Sequence, residues 1–345
     1  MRIFLFTAAF CAPFFASAMA ETTTHQSIRE LDVENFIGTV KVETTSGGGV
    51  SLERIDGKDS SYPVHVTTRD GVLVISSDED PDDIRWQDDV NWRKYHDDAF
   101  RVFLEDYPTL TLRVPVGTAL DFNSAVIMLS VGDTRGALSI SEGHIVGVVG
   151  DLATADISIH GSGDLKAGDI EGEFRTAIYG SGDLTAKSAG ALKAKIHGSG
   201  DISIGDIGGA ASLDIHGSGD IMLGRVDGAL DLSIKGSGDV KTGDVEDGAV
   251  ISIHGSGDVA LASLRGKAGA EINGSGDIEI NGGRAENLLV DIRGSGEFEF
   301  DGVAVNPTVY AGRSGSVHIA RYEGEIRARG DGDIEISGVQ YGDDD

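Results

Sequence analysis

The sequence contains very little cysteine and proline. Its single cysteine is Cys11, and only 6 of its 345 residues are prolines. Cys11 lies inside the segment interpreted below as a signal peptide. The mature chain then has no thiol, which excludes disulfides, thiolate metal sites and cysteine nucleophiles. Five of the prolines precede residue 120 and only Pro307 follows it. Because proline cannot donate to a strand ladder, this distribution predicts stacked strands after residue 120.

Basic residues are also few. The chain has 28 Lys and Arg against 57 Asp and Glu, a formal charge of −29. Removal of Arg2 with the signal would make the mature charge −30. Such a surface predicts no nucleic-acid partner and no anionic lipid partner. Two interpretations of the charge stay open: solubility, which we favour, and binding of divalent cations such as Ca²⁺.

A long apolar segment occurs only at the N-terminus. Residues 1–20 contain Arg2, an apolar run over residues 3–16, and Ala18-Met19-Ala20 before Glu21, a pattern typical of a secretory signal peptide. A membrane anchor is the alternative, but the run is shorter than the roughly 20 residues that span a bilayer. We therefore predict an exported protein, either periplasmic, outer-membrane-associated or secreted, with no transmembrane helix in the mature chain.

Glycine, in contrast, is abundant and regularly spaced. The tetrapeptide Gly-Ser-Gly-Asp starts at Gly161, Gly180, Gly198, Gly217, Gly236, Gly255 and Gly274, and a Glu-ending copy starts at Gly294. A nearly constant period of about 19 residues indicates a stacked repeat architecture. Apolar residues recur at fixed offsets from the tetrapeptide. In one copy they are Leu213, Ile215, Ile221, Leu223 and Val226.

Two all-β architectures fit this pattern. In a β-helix each repeat is one coil with Gly-Ser-Gly at a corner, whereas in a meander each repeat is a hairpin. A coil with three short faces needs about 19 residues and a hairpin needs fewer, so we predict a β-helix, or β-solenoid. The predicted organisation is a signal peptide at 1–20, a β-rich entry module at 21–120, the repeat solenoid at 121–340 and an acidic tail at 341–345. The entry module would cap one end and carry an acidic, aromatic insertion at 78–99.

The second glycine of each tetrapeptide is predicted to be a structural corner. Either its φ is positive or its surroundings leave no room for a Cβ atom. These corner positions are Gly163, Gly182, Gly200, Gly219, Gly238, Gly257 and Gly276.

The acid that ends each tetrapeptide would stack once per coil. Neighbouring charges ~4.8 Å apart repel by roughly 1 kcal/mol in water, so the row needs relief. Bound cations, pairing with the polar residues across the corner, or backbone N–H donors from the glycine turn could each supply it. We rank backbone donors first. The candidate metal ligands under the cation interpretation are Asp183, Asp201, Asp220, Asp239, Asp258 and Asp277.

The residue before each Gly-Ser-Gly is polar. His160, His197, His216 and His254 share this position with Tyr179, Lys235, Asn273 and Arg293. Because the position is so mixed, we interpret it as a solvated corner rather than as a ligand set.

The insertion at 78–99 contains both tryptophans of the chain. An acidic, proline-containing run leads into Trp86, Trp92, Tyr95 and His96, which are the candidate partner-binding residues. Aromatic rings flanked by carboxylates could stack on a sugar or anchor a protein. The alternative, which we favour, is a solvated insertion whose rings fold back on the entry module.

The Gly-Ser-Gly-Asp-Ile units, preceded by Leu-Arg-Val-Pro-Val-Gly-Thr at 112–118 and by a secretory signal, carry a family resemblance. They resemble the GIN-type head domain of bacterial autotransporter adhesins and related β-helical families of unknown function, over roughly residues 30–340. The resemblance implies an exported protein of the bacterial surface or envelope.

Serine, histidine and aspartate are plentiful, yet repetition makes them equivalent, so no nucleophile is singled out. We therefore predict no catalytic residues and no cofactor. The expected function is a non-enzymatic binding, adhesion or structural module with an envelope or surface glycan or protein as partner, and a homo-oligomer stays open. The alternative is a β-helical polysaccharide lyase or hydrolase that uses an aspartate cluster.

Overall fold

The computed structural model describes residues 21–59, 61–78, 96–312 and 314–341. Its first elements are β1 (Glu21–Gln26), β2 (Glu30–Glu34), β3 (Ile37–Thr45), β4 (Gly49–Ile55), β5 (His65–Arg69), β6 (Val72–Ser76), α1 (His96–Leu104) and β7 (Thr109–Pro115). Next come β8 (Ala119–Val131), β9 (Ala137–Val149), β10 (Thr154–Gly161), β11 (Leu165–Gly180), β12 (Leu184–Ile196), β13 (Ile202–Ile207), β14 (Ala211–Ile215), β15 (Ile221–Leu223), β16 (Leu230–Ile234), β17 (Val240–Val245), β18 (Ala249–Ile253) and β19 (Val259–Ile272). The last are β20 (Ile278–Ile280), β21 (Gly283–Ile292), β22 (Glu297–Val305), β23 (Thr308–Ala311), β24 (Ser316–Glu323), β25 (Arg327–Arg329), β26 (Asp333–Ile336) and β27 (Val339–Tyr341).

The repeats form a parallel β-solenoid of about 11 turns. Each coil contributes three short faces, and each face pairs in parallel with the same face of the next coil. On face A, β14 pairs with β16 and β16 with β18. On face B, β15 pairs with β13 and β17. On face C, isolated parallel β-bridges join Ile207 to Val226 and Val226 to Val245. The predicted β-helix is confirmed, and the hairpin meander is wrong because its neighbouring strands would be antiparallel.

The core is a set of apolar columns that run along the solenoid. The period-2 alternation of each face puts one apolar residue per coil at the same interior position. On face A one such column is fully buried: Ile196, Ile215, Ile234, Ile253, Ile272 and Ile292. Each coil thus buries its apolar surface only when it stacks on the neighbouring coils. This dependence on neighbours is what stabilises repeat proteins.

The parallel ladder extends into the N-terminal region. Strand β2 pairs in parallel with β8, with Leu31 opposite Leu120, and β3 also pairs in parallel with β8. Residues 30–45 therefore form a coil of the solenoid, although no Gly-Ser-Gly-Asp marks them. Between β3 and β8 the chain adds a further layer at this end, because β6 pairs in parallel with β2 and β7 pairs in parallel with β3. The antiparallel pairs β1–β4, β4–β7 and β5–β6 also lie at this end. The boundary at residue 120 marks a change in composition, and the stacking is continuous across it.

In the described part of the N-terminal region, one helix, α1, interrupts the β structure. Phe100 and Leu104 of α1 are buried. The Phe100 ring meets the buried ring of His144 edge to face, with the ring centroids 4.8 Å apart. Among the described residues no helix is long and apolar enough to cross a membrane.

Candidate binding surface

Each Gly-Ser-Gly-Asp tetrapeptide forms the corner between face A and face B. In one coil β14 ends at Ile215 and β15 begins at Ile221. A Cβ atom placed on Gly219 would lie 2.1 Å from the carbonyl oxygen of Gly200 in the preceding coil. The corresponding distances for the seven predicted corner glycines are 2.1–2.4 Å, and none of the seven has a positive φ. The requirement for glycine at these positions is therefore steric, because a backbone carbonyl occupies the space of the side chain.

From the second copy onward, the first glycine of the tetrapeptide is equally crowded. A Cβ atom on Gly217 would lie 2.1 Å from the carbonyl oxygen of Gly198. From the sequence, the corner role was expected only at the second glycine. The signal was available, because the first glycine recurs in the same eight copies.

The acids that follow the corner form one continuous hydrogen-bonded row, called here the acid row. Its members are Asp164, Asp183, Asp201, Asp220, Asp239, Asp258, Asp277 and Glu297. The Oδ1 atom of each aspartate accepts a hydrogen bond from the backbone N–H of the next acid in the row, at 2.8–3.0 Å. The donors are backbone amides, but they belong to the next acid and not to the glycine turn. Each carboxylate thereby meets a positive dipole one coil away.

The candidate metal ligands Asp183, Asp201, Asp220, Asp239, Asp258 and Asp277 all lie in this row, one per coil. Within the described part of the chain, no group of three or more His, Cys, Asp or Glu side chains is placed to hold a metal ion. The calcium hypothesis stays a prediction.

The polar residues before the corner form a second row on face A, called here the ring and base row. Its members are His160, Tyr179, His197, His216, Lys235, His254, Asn273 and Arg293. The first four rings follow one another with centroids 4.8–5.2 Å apart. Lys235 Nζ then donates to His216 Nε2 at 3.0 Å, and Asn273 Nδ2 donates to His254 Nε2 at 3.3 Å. The row therefore presents ring edges and polar atoms to solvent at the spacing of the coils.

The serines between the two glycines form a third row at the apex of the corner, called here the serine row. Its members are Ser162, Ser181, Ser199, Ser218, Ser237, Ser256, Ser275 and Ser295. All except the half-buried Ser162 are exposed. Their backbone N–H groups continue the ladder, as from Ser218 to the carbonyl of Gly198 at 2.9 Å. None of the eight hydroxyls has a hydrogen-bond partner among the residues that the structure describes.

A second line of acids lies at the corner between face B and face C. The backbone N–H of Asp151 donates to Asp133 Oδ1, and that of Asp169 donates to Asp151 Oδ1, both at 3.0 Å. Further along, residues other than acids also stand in this line. The Ser188 hydroxyl donates to Asp169 Oδ1, and the backbone N–H of Arg225 donates to Asp206 Oδ1. Sequence reasoning missed this line. Its signal was the second Gly-Asp dipeptide of several repeats, as at Gly168-Asp169.

A group of carboxyls lies on the outer side of face A near the N-terminal end. Asp32 on β2 stands opposite Asp121 on β8. Burial raises the pKa of Asp32 to about 7, and a hydrogen bond with Glu34 together with the charges of Glu34, Asp121 and Glu30 adds to the rise. With this raised pKa, the Asp32 carboxyl titrates near neutral pH, whereas an ordinary aspartate titrates at about pH 4.

The candidate aromatic residues of the insertion lie almost wholly outside the described part of the chain. Trp86, Trp92 and Tyr95 fall in the segment 79–95, and His96 is the first residue of α1, with its side chain also outside the description. Their role as a partner-binding loop stays a prediction.

A comparison with protein families finds a match in the second half of the chain. Residues 245–339 match the family model described as "putative auto-transporter adhesin, head GIN domain", so the predicted resemblance to this family is confirmed over these residues. A comparison with curated proteins finds no match.

Solved structures similar to the chain include two bacterial proteins. One is a "putative adhesin" from Bacteroides fragilis, at 15% identity and TM-score 0.35, over 76% of this chain and 97% of that chain. Another is a "putative lipid binding protein" from Parabacteroides distasonis, at 14% identity and TM-score 0.30, over 91% of this chain and 95% of that chain. At these TM-scores neither structure supports an argument about function.

Proposed function

We propose that this protein is an exported, non-enzymatic β-solenoid of the bacterial envelope or surface that acts as a binding or adhesion module. The observation that carries the proposal is the arrangement of the corner. Serine, histidine and aspartate side chains repeat in three parallel rows on the outside of the solenoid. A catalytic centre instead requires unlike groups that converge on one reacting atom. A surface with equal contacts at every coil suits binding to an extended partner.

Three further observations support the proposal. The match of residues 245–339 to an adhesin head family favours adhesion over catalysis. The apolar N-terminal segment with its small residues before Glu21 favours export. The charge of −29 favours a partner that is neither nucleic acid nor anionic lipid.

The test uses the chain from residue 21 onward. It is added to bacterial envelope fractions and to a glycan array, and the same preparation is incubated with acidic and neutral polysaccharides to detect cleavage. We expect saturable binding without turnover. Turnover that one aspartate substitution abolishes would contradict the proposal and favour the lyase or hydrolase alternative.

A companion variant tests the aromatic insertion. Helix α1 begins at His96, so the deletion removes residues 79–95 and leaves the buried Phe100 and Leu104 in place. Loss of binding in this variant, with an unchanged circular dichroism spectrum, would place the partner site in the insertion. Unchanged binding would place it on the solenoid.

A further inference from the structure

The fold explains three parts of the repeated tetrapeptide and leaves one unexplained. Both glycines are required because a preceding carbonyl lies 2.1 Å from the Cβ position, as at Gly217 and Gly219. The acid is required as the acceptor for the next amide, as between Asp220 and Asp239 at 2.8 Å. The serine is exposed in seven of the eight copies, and its hydroxyl bonds to no described residue. Yet serine occupies that position in all eight copies.

We propose that the serine row binds a linear, neutral polysaccharide that lies along the solenoid axis, with the ring and base row on one side and the acid row on the other. These three rows together are called here the corner strip. This inference rests on the proposed binding function and names its partner class and its site. Sugar hydroxyls both donate and accept hydrogen bonds. Serine hydroxyls and imidazole rings can act as donor or acceptor toward a sugar hydroxyl, and carboxylates can accept hydrogen bonds from it.

The repeat distance of the strip favours a glycan over a peptide. Consecutive coils are ~4.8 Å apart, and the ring centroids from His160 to His216 are 4.8–5.2 Å apart. An extended peptide repeats its same-side side chains at roughly 6.6–6.8 Å, so it would lose register with the coils. An extended β-1,4-linked glycan advances by one sugar ring over a distance comparable to one coil. Successive sugars face opposite ways, so the same sugar face would recur at every second coil and stay in register with the strip. Many weak and equal contacts along the glycan then add up to a higher overall affinity.

The charge of the strip selects against anionic polymers. The acid row brings eight carboxylates, whereas Lys235 and Arg293 are the Lys and Arg residues of the ring and base row. A polyuronate, a nucleic acid or an anionic membrane would meet this negative row on a protein of charge −29. A neutral polymer is not repelled by the acid row, and its hydroxyls can donate hydrogen bonds to the carboxylates. Its binding should therefore be insensitive to added salt.

The experiment measures binding of neutral linear oligosaccharides by isothermal titration calorimetry. The probes are hexamers of β-1,4-linked glucose, mannose and N-acetylglucosamine, with polygalacturonate and phosphatidylglycerol vesicles as anionic probes. The strip variant is Ser199→Ala/Ser218→Ala. The matched control is Ser203→Ala/Ser212→Ala, which removes two exposed hydroxyls from neighbouring positions outside the strip.

We expect at least one neutral hexamer to bind, with affinity reduced about tenfold in the strip variant and unchanged in the control. Circular dichroism should show both variants folded, because neither hydroxyl pair supports the ladder. A second variant, Tyr179→Ala/His197→Ala, should also lose affinity through the ring and base row.

The outcomes separate this inference from the proposed function. Equal affinities of the strip and control variants for the hexamer would overturn the assignment of the corner strip as the binding site. The proposed binding function would be unaffected. Preferential binding of polygalacturonate or vesicles would overturn the neutral partner. Binding to envelope fractions without binding to any hexamer would also overturn the inference, whereas no binding to either would contradict the proposed function itself.

Discussion

The carboxylate of Asp220 accepts a hydrogen bond from the backbone N–H of Asp239, 2.8 Å away, across one coil of the solenoid. The backbone carbonyl of Asp239 in turn accepts from the N–H of Ile221, at 2.9 Å. The side chain of one acid thus completes the backbone ladder at the corner, where the turn would otherwise leave an amide without an acceptor. This relationship repeats along the whole acid row and explains how like charges can stack.

The role of Asp220 as an acceptor predicts a difference between two substitutions. Asp220→Asn keeps an oxygen that can accept from Asp239 and removes one repelling charge, so its stability should remain close to wild type. Asp220→Ala removes the acceptor and should lower the free energy of unfolding by ~1 kcal/mol. Chemical denaturation at pH 7 measures both. Equal destabilisation by Asn and Ala would show that the charge, not the acceptor, matters.

The same hydrogen bonds predict that the acid row does not depend on calcium. Because each aspartate of the row meets a backbone amide, we expect the melting temperature at neutral pH to be the same with and without EDTA. Thermal melts followed by circular dichroism provide the measurement, and added CaCl₂ is the control. A large decrease on chelation would instead make Asp183, Asp201, Asp220, Asp239, Asp258 and Asp277 structural calcium ligands.

Crowding at the corner predicts an unusually costly glycine substitution. In Gly219→Ala the new methyl group would overlap the carbonyl of Gly200, so the coils must move apart, at a cost of about 2–4 kcal/mol. Gly269→Ala is the matched control, because a Cβ atom there has nothing within 4 Å. It should be close to neutral. Thermal and urea denaturation of the two variants measure the difference, and similar stabilities would refute the steric argument.

Two residues near the N-terminal end should give opposite pH dependences of stability. The pKa of Asp32 rises from 3.8 to about 7 on folding, so the native state keeps a proton that the unfolded chain loses, and stability falls as pH rises through this window. Burial lowers the pKa of His144 from 6.5 to about 4. The unfolded chain then takes up a proton that the native state excludes, so stability falls as pH falls from 6.5 to 4. In the wild type the two effects partly cancel.

Single substitutions should therefore reveal each slope. Asp32→Asn should lose stability more steeply than wild type on acidification from pH 6.5 to 4, because the effect of His144 is left unopposed. His144→Gln should show a slope shifted in the other direction, whatever its absolute stability. Urea denaturation at several pH values between 4 and 7.5 measures the slopes. Slopes identical to wild type in both variants would contradict these assignments.

The sequence predicted the solenoid well because its evidence is local and repeated. The period of about 19 residues, the apolar offsets around Ile215 and Ile221, and the glycines at the corner all recur at fixed spacing. The helical spacing of Phe100, Phe103 and Leu104 was also present, but the surrounding strand pattern hid it, and the entry module was expected to be β structure. The aromatic insertion at Trp86 and Trp92 lies outside the described residues, so its role is still open.

The sequence by itself determined the coil length, the buried columns and the recurrence of glycine at the corner, because each of these is a pattern that repeats along the chain. Only the tertiary structure decided which groups meet across coils. The donor to Asp220 is an amide 19 residues away, and the first coil at residues 30–45 stacks on β8 across a long excursion without any repeat motif. Parallel strands pair residues that are distant in sequence. The register that aligns the acid, serine and ring and base rows therefore exists only once the coils are stacked.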